Sequence, residues 1–396
     1  MKTGGREEGS PKASPSIAIV SSGGDPRDPR VWSGTPNNIV CALEGLGCRV
    51  TTVNLRPPRA LRGALKVLCL ATGHGPEYHR TWISSLMSGV RLSPQLGQGL
   101  STCLHMGTAS VPIGARSSGI RHAIYLDSTF HLMSEQSLNC YSKAVRQKYD
   151  RFERRALLAV DHIFTVSQHV RQDVLDYYGV PAERTTAVGT GRGKIHAVDG
   201  PKDYSDCMTL FVAKERFEEK GGSLLLAGFR LAVQSDPRLK LVVVAQEQYR
   251  EVVESIPGAE FKTALPWHEL EAIFNRASLF AMPARYEPWG LVYIEALACR
   301  TPIMGLNRNA LPELARNGDA GFLLDVATPD AVAKCLLDAF SNTERLAEMG
   351  RAGQEHAQKS YSWDKTAASI YSALFGSFAS TKQPMSHDAT KQRAEY

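Results

Sequence analysis

The chain has 396 residues, of which 43% are hydrophobic and 22% charged, and this composition excludes a mostly disordered or collagen-like protein. At roughly 150 residues per domain, the length predicts two or three domains. Residues 1–200 hold 24 Lys and Arg against 15 Asp and Glu, whereas residues 201–396 hold 22 against 25. We therefore expect the two halves to face different partners, or different parts of one partner.

The eight cysteines include no CxxC pair and no zinc-ligand spacing with histidine, so a reduced, cytosolic compartment is the simpler interpretation. The N-terminal residues lack the apolar segment of a signal peptide, and no apolar run is long enough to span a bilayer. We therefore expect neither secretion nor transmembrane anchoring. Polar residues without apolar periodicity predict disordered tails over 1–14 and 376–396.

In chain order, the first half alternates strands and helices. The segment 16–20 predicts a buried strand, followed by a Gly-rich loop and by a helix over 36–46 with Thr35 as N-cap and Pro36 as its first residue. A strand over 49–54 completes a βαβ unit, and residues 55–110 are left without assigned elements. The elements that follow are predicted as a strand at 123–126, a helix at 142–159, a strand at 162–166, a helix at 168–178 and a strand at 185–188.

The second half shows the same alternation, and its pattern is clearer. The predicted strands are at 209–212, 240–245, 278–282, 302–306 and 321–324, with helices between them. Such alternation is typical of parallel, doubly wound sheets. We predict an α/β protein with one Rossmann-like domain over 15–200, a second over 201–350, and a C-terminal helix over 351–375. Residues 189–204 are predicted to connect the domains, and ligands of such sheets bind at the carboxyl ends of the strands, here in the cleft.

Three loops share the features of an anion site, because each joins a strand to a helix through glycines that allow a ligand to approach the backbone. The first, 21–36, contains Gly34 but no dinucleotide fingerprint. The second, 210–229, places Lys214, Lys220 and a diglycine before a helix, which suits a diphosphate. Turn glycines and surface lysines are the ordinary structural alternatives for these two loops.

The third loop, 283–305, contains the most informative pattern. Pro288 and Gly290 precede a helix, so the backbone N–H groups of Trp289, Gly290 and Leu291 can bind phosphate oxygens. Two carboxylates, Glu287 and Glu295, bracket this position. Carboxylates beside an anion site are costly unless hydroxyl groups donate hydrogen bonds to them, as a sugar and a ribose would. The alternative is a capping glutamate followed by a solvated one.

These residues resemble a known family, the retaining glycosyltransferases of the GT-B fold in family 4, also called glycosyl transferases group 1. The segment EPWGLVYIE, from Glu287 to Glu295, is similar to the family's E-x7-E signature. The resemblance extends over about 16–375 and includes the segments WSGTP, RFERRALLAVDHIFTVSQHV, KGG and YSWDKTAASIYSALF. It implies two Rossmann-like domains facing a cleft, with the donor nucleotide sugar bound mainly by the second domain and the acceptor by the first. The final helix is expected to cross back to the first domain.

The resemblance also implies roles for individual residues. Glu287 is expected to bind hydroxyls of the transferred sugar, Glu295 the ribose of the nucleotide, and Lys220 the leaving diphosphate. Lys214 stands where the family usually has an arginine, so the bidentate fork is lost and Arg216 is an alternative cation. Gly34 matches the glycine that lets the first-domain loop approach the donor.

Asp127 follows the central strand at a position where the family often has histidine. It is expected to hydrogen-bond a sugar hydroxyl or the acceptor, and the alternative for this residue is a helix cap.

The expected reaction is transfer of a sugar to an acceptor hydroxyl by a retaining hexosyltransferase. No Asp-x-Asp motif occurs, and Lys214 and Lys220 supply positive charge, so we predict a metal-independent reaction with no cofactor. The donor is expected to be a UDP- or GDP-sugar, and the acceptor a sugar, a lipid-linked molecule or a small molecule. A nucleotide-sugar epimerase and a silent sugar-nucleotide binding protein are the alternative functions.

We expect a cytoplasmic protein that binds no nucleic acid, because no recognisable nucleic-acid-binding module accompanies the basic residues. The helix 142–159 is strongly basic. It either lies at the inner membrane surface or, as the ordinary alternative, packs by its apolar side.

Overall fold

A computed structural model describes residues 14–95, 100–136 and 141–376. Apart from Ser14 and Gly376, the two tails predicted to be disordered lie outside the described residues. The structure has an α/β architecture with two parallel six-stranded sheets, which confirms the predicted fold class.

The first sheet has the strand order β2-β1-β3-β4-β5-β6. Its strands are β1 (Ser16–Ser21), β2 (Arg49–Asn54), β3 (Thr102–Met106), β4 (Arg121–Leu126), β5 (His162–Thr165) and β6 (Thr185–Ala187). Its helices are α1 (Thr35–Gly45), α2 (Arg59–Ala71), α3 (Trp82–Leu92), α4 (Phe130–Gln136), α5 (Lys143–Ala159) and α6 (Gln168–Asp176). In the register, Ile17 of β1 pairs with both Val50 and Thr102. Strands β1 and β3 are fully buried, as is typical of parallel sheets that have helices on both faces.

The second sheet has the order β12-β11-β10-β7-β8-β9. Its strands are β7 (Met208–Ala213), β8 (Lys240–Ala245), β9 (Ala259–Lys262), β10 (Leu279–Ala281), β11 (Ile303–Leu306) and β12 (Gly321–Leu324). Its helices are α7 (Gly222–Ser235), α8 (Arg250–Glu254), α9 (Trp267–Arg276), α10 (Leu291–Ala298), α11 (Leu311–Leu314) and α12 (Pro329–Ser341), followed by α13 (Thr343–Ser360) and α14 (Trp363–Phe375). Helix α13 packs on α10, whereas α14 packs on α1 of the first sheet.

Two local predictions differ from the structure. Thr35 is the first residue of α1 rather than its N-cap, because Gly34 takes the N-cap position with φ 80° and no side chain caps the helix. The segment 351–375, predicted as one helix, comprises the end of α13 and the whole of α14. The break lies at Tyr361 and Ser362, where the backbone is extended and the Ser362 hydroxyl accepts a hydrogen bond from the N–H of Lys365. The serine therefore caps a new helix at this point.

The connection between the two sheets lies against the C-terminal segment. The N–H of the Trp363 indole donates to the carbonyl of Arg192 at 3.1 Å. A Cβ added to Gly191 would lie 2.3 Å from the Trp363 ring, so glycine is needed at this crossing. The two stretches of chain that pass between the domains therefore run side by side.

Candidate active site

The loops before α7 and α10 meet because a glycine allows their backbones to touch. Gly221, with φ 80°, precedes α7, and a Cβ added there would lie 2.1 Å from the carbonyl oxygen of Pro283. This contact brings the Lys220 ammonium to 3.8 Å from a carboxylate oxygen of Glu287. The predicted pair of a phosphate-binding cation and a sugar-binding carboxylate thus forms one cluster, and both side chains are largely buried.

Helix α10 begins at the loop for which the sequence predicts an anion site. Gly290 is its N-cap with φ 82°, and the first N–H groups of a helix have no acceptor within the helix. The side chain of Trp289 is buried, and its indole N–H donates a hydrogen bond to the Thr190 hydroxyl at 2.7 Å. Trp289 therefore ties this loop to the connection between the domains, and only its backbone is available to a ligand.

Asp127 lies at the carboxyl end of β4 and reaches the cleft from the first domain. One of its carboxylate oxygens accepts a hydrogen bond from the Trp32 indole N–H at 2.9 Å. The helix-cap alternative for Asp127 is wrong, since the hydroxyl of Thr129 accepts the hydrogen bond from the N–H of Leu132 at the start of α4. Asp127 is thus free of a capping role.

Burial raises the pKa of Asp127 to about 6, opposed by the Trp32 hydrogen bond and reinforced by the negative charge of Glu287. The charge of Glu287 therefore acts on Asp127 across the two domains. The same contact zone includes a hydrogen bond between the hydroxyl groups of Ser128 and Tyr286, which also joins the domains. Sequence reasoning missed Tyr286, although it directly precedes Glu287.

The loop that contains Gly34 has an unusual backbone. Trp32 and Ser33 have φ near 50°, and Gly34 has φ 80°. Only glycine adopts such a conformation without strain, so two non-glycine residues here are held in place by their surroundings. The Trp32 hydrogen bond to Asp127 and the packing of Trp32 on Tyr125 supply that support.

Glu295 lies on α10 against the connection between the domains. Its carboxylate accepts a hydrogen bond from the N–H of Lys194 at 3.1 Å. Burial raises the pKa of Glu295 to about 7, although the N–H groups of Lys194 and Ile195 and the charge of Lys214 oppose the shift. A Cβ added to Gly193 would lie 1.9 Å from a carboxylate oxygen of Glu295, so the glycine lets the connection approach this residue closely.

Three further cations, Lys194, Lys214 and Arg216, have partners other than Glu287. The Lys214 ammonium lies 4.7 Å from the centre of the Trp267 ring, at the start of α9. Lys194 lies over the same ring at 5.6 Å. Arg216 pairs with Glu219 at 3.5 Å, so it does not join the Lys220 cluster. Trp267 was missed in the sequence, where a lone tryptophan after a proline carries no signal of a site.

Two family models match the chain. The model described as Glycosyltransferase Family 4 matches residues 37–192, and that described as Glycosyl transferases group 1 matches residues 201–356. Together they cover most of both domains. They also divide between residues 192 and 201, where the connection between the two sheets lies.

Curated relatives and a solved structure agree with these models. The chain is 27% identical to alpha-maltose-1-phosphate synthase from Mycolicibacterium smegmatis over 53% of this chain and 62% of that protein. It is 33% identical to D-inositol 3-phosphate glycosyltransferase from Segniliparus rotundus over 44% of this chain and 42% of the relative. The aligned parts thus span less than two thirds of each relative.

Sucrose-phosphate synthase from Thermosynechococcus elongatus is similar in fold, with a TM-score of 0.67 at 17% identity over 90% of this chain and 97% of that one. The two matched family models, together with this shared architecture, place the chain among the group 1 glycosyltransferases of the GT-B fold.

Proposed function

We propose that the protein transfers a hexosyl group from a nucleotide diphosphate sugar to an acceptor hydroxyl, with retention of the anomeric configuration and without a metal ion. The proposal rests chiefly on the pairing of Lys220 with Glu287 beside the N-terminus of α10. Retention is inferred from family membership. The epimerase and silent-binder alternatives are not favoured, because the matched relatives are glycosyltransferases and synthases of sugar phosphates.

The donor diphosphate would lie between Lys220 and the first N–H groups of α10. Breaking the bond between the sugar and the diphosphate leaves negative charge on the phosphate oxygens and positive charge on the sugar ring. A preorganised cation and a helix N-terminus stabilise the negative charge as it develops. Because this charge stabilisation comes from the protein itself, the proposal needs no metal ion.

Glu287 and Asp127 would hold the sugar from the two domains. Each is an acceptor for hydroxyl donors, and each is too buried to be fully hydrated in the closed cleft. Their negative charges would also favour the cation-like sugar ring in the transition state. The two roles require closure of the domains, since the carboxylates come from different sheets.

Glu295 would accept hydrogen bonds from the ribose hydroxyls. In the described state the N–H of Lys194 occupies one carboxylate oxygen, and a carboxylate can accept several hydrogen bonds. Ribose would therefore add to this contact or displace the connection at Gly193. Lys214, whose charge acts on Glu295, would supply further positive charge near the nucleotide.

Thermal stability with UDP, GDP and ADP tests the donor site first, since a ligand that binds only the folded protein raises the melting temperature. We expect one nucleotide to raise it in EDTA as much as in Mg²⁺. The matching UDP-, GDP- or ADP-sugars are then incubated with candidate acceptors, and the anomeric product is identified by NMR. Binding without any transfer would favour the silent binder, and a shift that needs Mg²⁺ would contradict metal independence.

A further inference from the structure

Helices α2 and α3 expose an apolar surface on the first domain. Val67 and Leu70 of α2 are 67% and 60% exposed, and Trp82 and Val90 of α3 are 55% and 69% exposed. Leu61, Leu68 and Leu86 are also exposed on these two helices. We call this surface, formed by the seven side chains named above, the α2–α3 face. Contiguous exposed apolar surface is uncommon on a protein without a partner for it.

The orientation of α2 explains why these side chains point outward. Cys69 is the residue that α2 buries. At 100° per residue, Val67 and Ala64 lie on the side of the helix roughly opposite Cys69. Helix α2 therefore packs on the domain through the side that carries Cys69, and its apolar side chains on the opposite side are exposed. Trp82, Leu86 and Val90 follow one another at intervals of four residues, so they form a second outward stripe along α3.

The two helices that form this face carry charge of one sign. Helix α2 contains Arg59, Arg62 and Lys66, α3 contains Arg91, and neither contains Asp or Glu. Between the helices, Glu77 lies 2.6 Å from Arg80, a cation that it shares with the buried Glu153. Arg59 and Lys66 are exposed on α2 itself. A surface that combines apolar side chains with cations is complementary to a layer that offers acyl chains beneath anionic headgroups.

We propose that the α2–α3 face binds the surface of a bilayer that contains anionic lipid, without spanning it. No helix among the described residues is long and apolar enough to cross a membrane. A second copy of the chain is the poorer occupant, since it would place the cations of two copies against each other. The basic helix α5 is also poorer, because its apolar side chains Tyr149 and Leu157 are buried against the domain.

The position of the face connects it with the cleft. A crevice lies between α2 and α3, and Leu65, Met87 and Arg91 are among the residues that line it. The crevice reaches Ser22, in the loop that also contains Gly34. A bilayer held against α2 and α3 would thus present the headgroups of its lipids to the side of the first domain on which the acceptor is expected.

Binding to lipid vesicles tests this inference without any measurement of transfer, so its failure is separate from failure of the proposed function. The full-length protein is sedimented with vesicles of phosphatidylcholine alone and of phosphatidylcholine with phosphatidylglycerol. We expect binding to the anionic vesicles that weakens with added salt. The double variant Val67→Glu, Val90→Glu should bind at least about tenfold more weakly. Its matched control is Val326→Glu, a change at a side chain 56% exposed on the second domain.

The cations are tested separately. Arg59→Gln with Lys66→Gln should lower the partition coefficient roughly fivefold for each charge removed. Lys334→Gln, an exposed lysine of the second domain, should leave it unchanged.

Three results would overturn the inference. These are no binding to anionic vesicles, equal binding by the glutamate variants and the wild type, or equal binding to both vesicle types. Sedimentation velocity without lipid gives a further check. A wild-type dimer that Val67→Glu turns into a monomer would identify a second copy as the occupant of the face.

Discussion

Replacing Glu295 by glutamine should stabilise the unliganded protein while it weakens nucleotide binding. Burial raises the pKa of Glu295 from 4.5 to about 7, so the folded protein resists ionisation of this group. A carboxyl whose pKa is raised on folding contributes stability below pH 4.5 and loses it as the pH rises to about 7. Glutamine stays neutral at every pH and can still accept the hydrogen bond from the Lys194 N–H.

The size of the effect follows from the shift in pKa. At about 1.4 kcal/mol for each pKa unit, ionisation of Glu295 costs the folded wild type about 3 kcal/mol at pH 8. The Gln variant should therefore exceed the wild type in unfolding free energy by up to about that amount at pH 8, and by much less at pH 5. A charge-assisted hydrogen bond to ribose is lost in the variant, so nucleotide affinity should fall about tenfold.

Chemical denaturation at pH 5 and pH 8, paired with calorimetric titration of the nucleotide, measures both effects. Glu271→Gln is the matched control, because Glu271 accepts a hydrogen bond from the N–H of His196 in the same connection but lies outside the proposed donor site. It should leave nucleotide affinity unchanged. A Glu295→Gln variant that is less stable at pH 8, or whose stability difference does not depend on pH, would refute the reasoning.

Three further variants test the cleft. Lys220→Ala should lower kcat/KM at least about tenfold, while circular dichroism shows that the variant is folded. Lys334→Ala is the control. A Lys220→Ala variant with wild-type turnover would show that Lys220 is not part of the site. Because Asp127 has a pKa of about 6, kcat/KM of the wild type should fall as the pH drops through that value. Asp127→Asn should have a low kcat/KM that does not fall in this pH range. The same fall in the variant would show that another group titrates there. Gly193→Ala should displace the Glu295 carboxylate and weaken nucleotide binding. Gly45→Ala, whose added Cβ meets no atom within 4 Å, should leave nucleotide binding unchanged. Unchanged nucleotide affinity in Gly193→Ala would show that the connection does not position Glu295.

The buried strands were readable from the sequence because both faces of each sheet are covered. All five strands predicted in the second half overlap observed strands closely, and β8 and β12 have the predicted bounds. The strand β9 was missed, since it is short and half exposed at the edge of the sheet. Helices α2 and α3 were left unassigned because Gly, Ser and Pro residues are scattered through residues 55–110 and interrupt the apolar pattern there.

The candidate site is most predictable where its residues are close in the chain. Glu287, Gly290 and Glu295 share one turn and helix, so their spacing alone indicated an anion site with two carboxylates. Contacts between distant segments could not be predicted in this way. The hydrogen bond from Trp32 to Asp127 joins residues 95 positions apart, and Glu295 meets Lys194 from 101 positions away.

The burial of Glu153 in α5 also could not be predicted from the sequence. Glu153 is almost fully buried, accepts hydrogen bonds from Thr108 and Tyr178, and pairs with Arg80 at 3.5 Å. In the sequence it is one charge in a basic helix and looks solvated. Its partners come from other elements of the domain, so only the folded chain shows that this glutamate organises the interior.

The pairing of Trp363 with Gly191 and Arg192 has a mechanical consequence. Two bodies joined at a single point can tumble in every direction, whereas two bodies joined at neighbouring points keep chiefly the rotation about the line between those points. Because the chain leaves the first domain and returns to it at adjoining positions, opening and closing should follow one axis. The same rotation would then admit the donor, bring Asp127 to Glu287 and release the product. A change that makes this crossing more rigid should therefore slow all three steps.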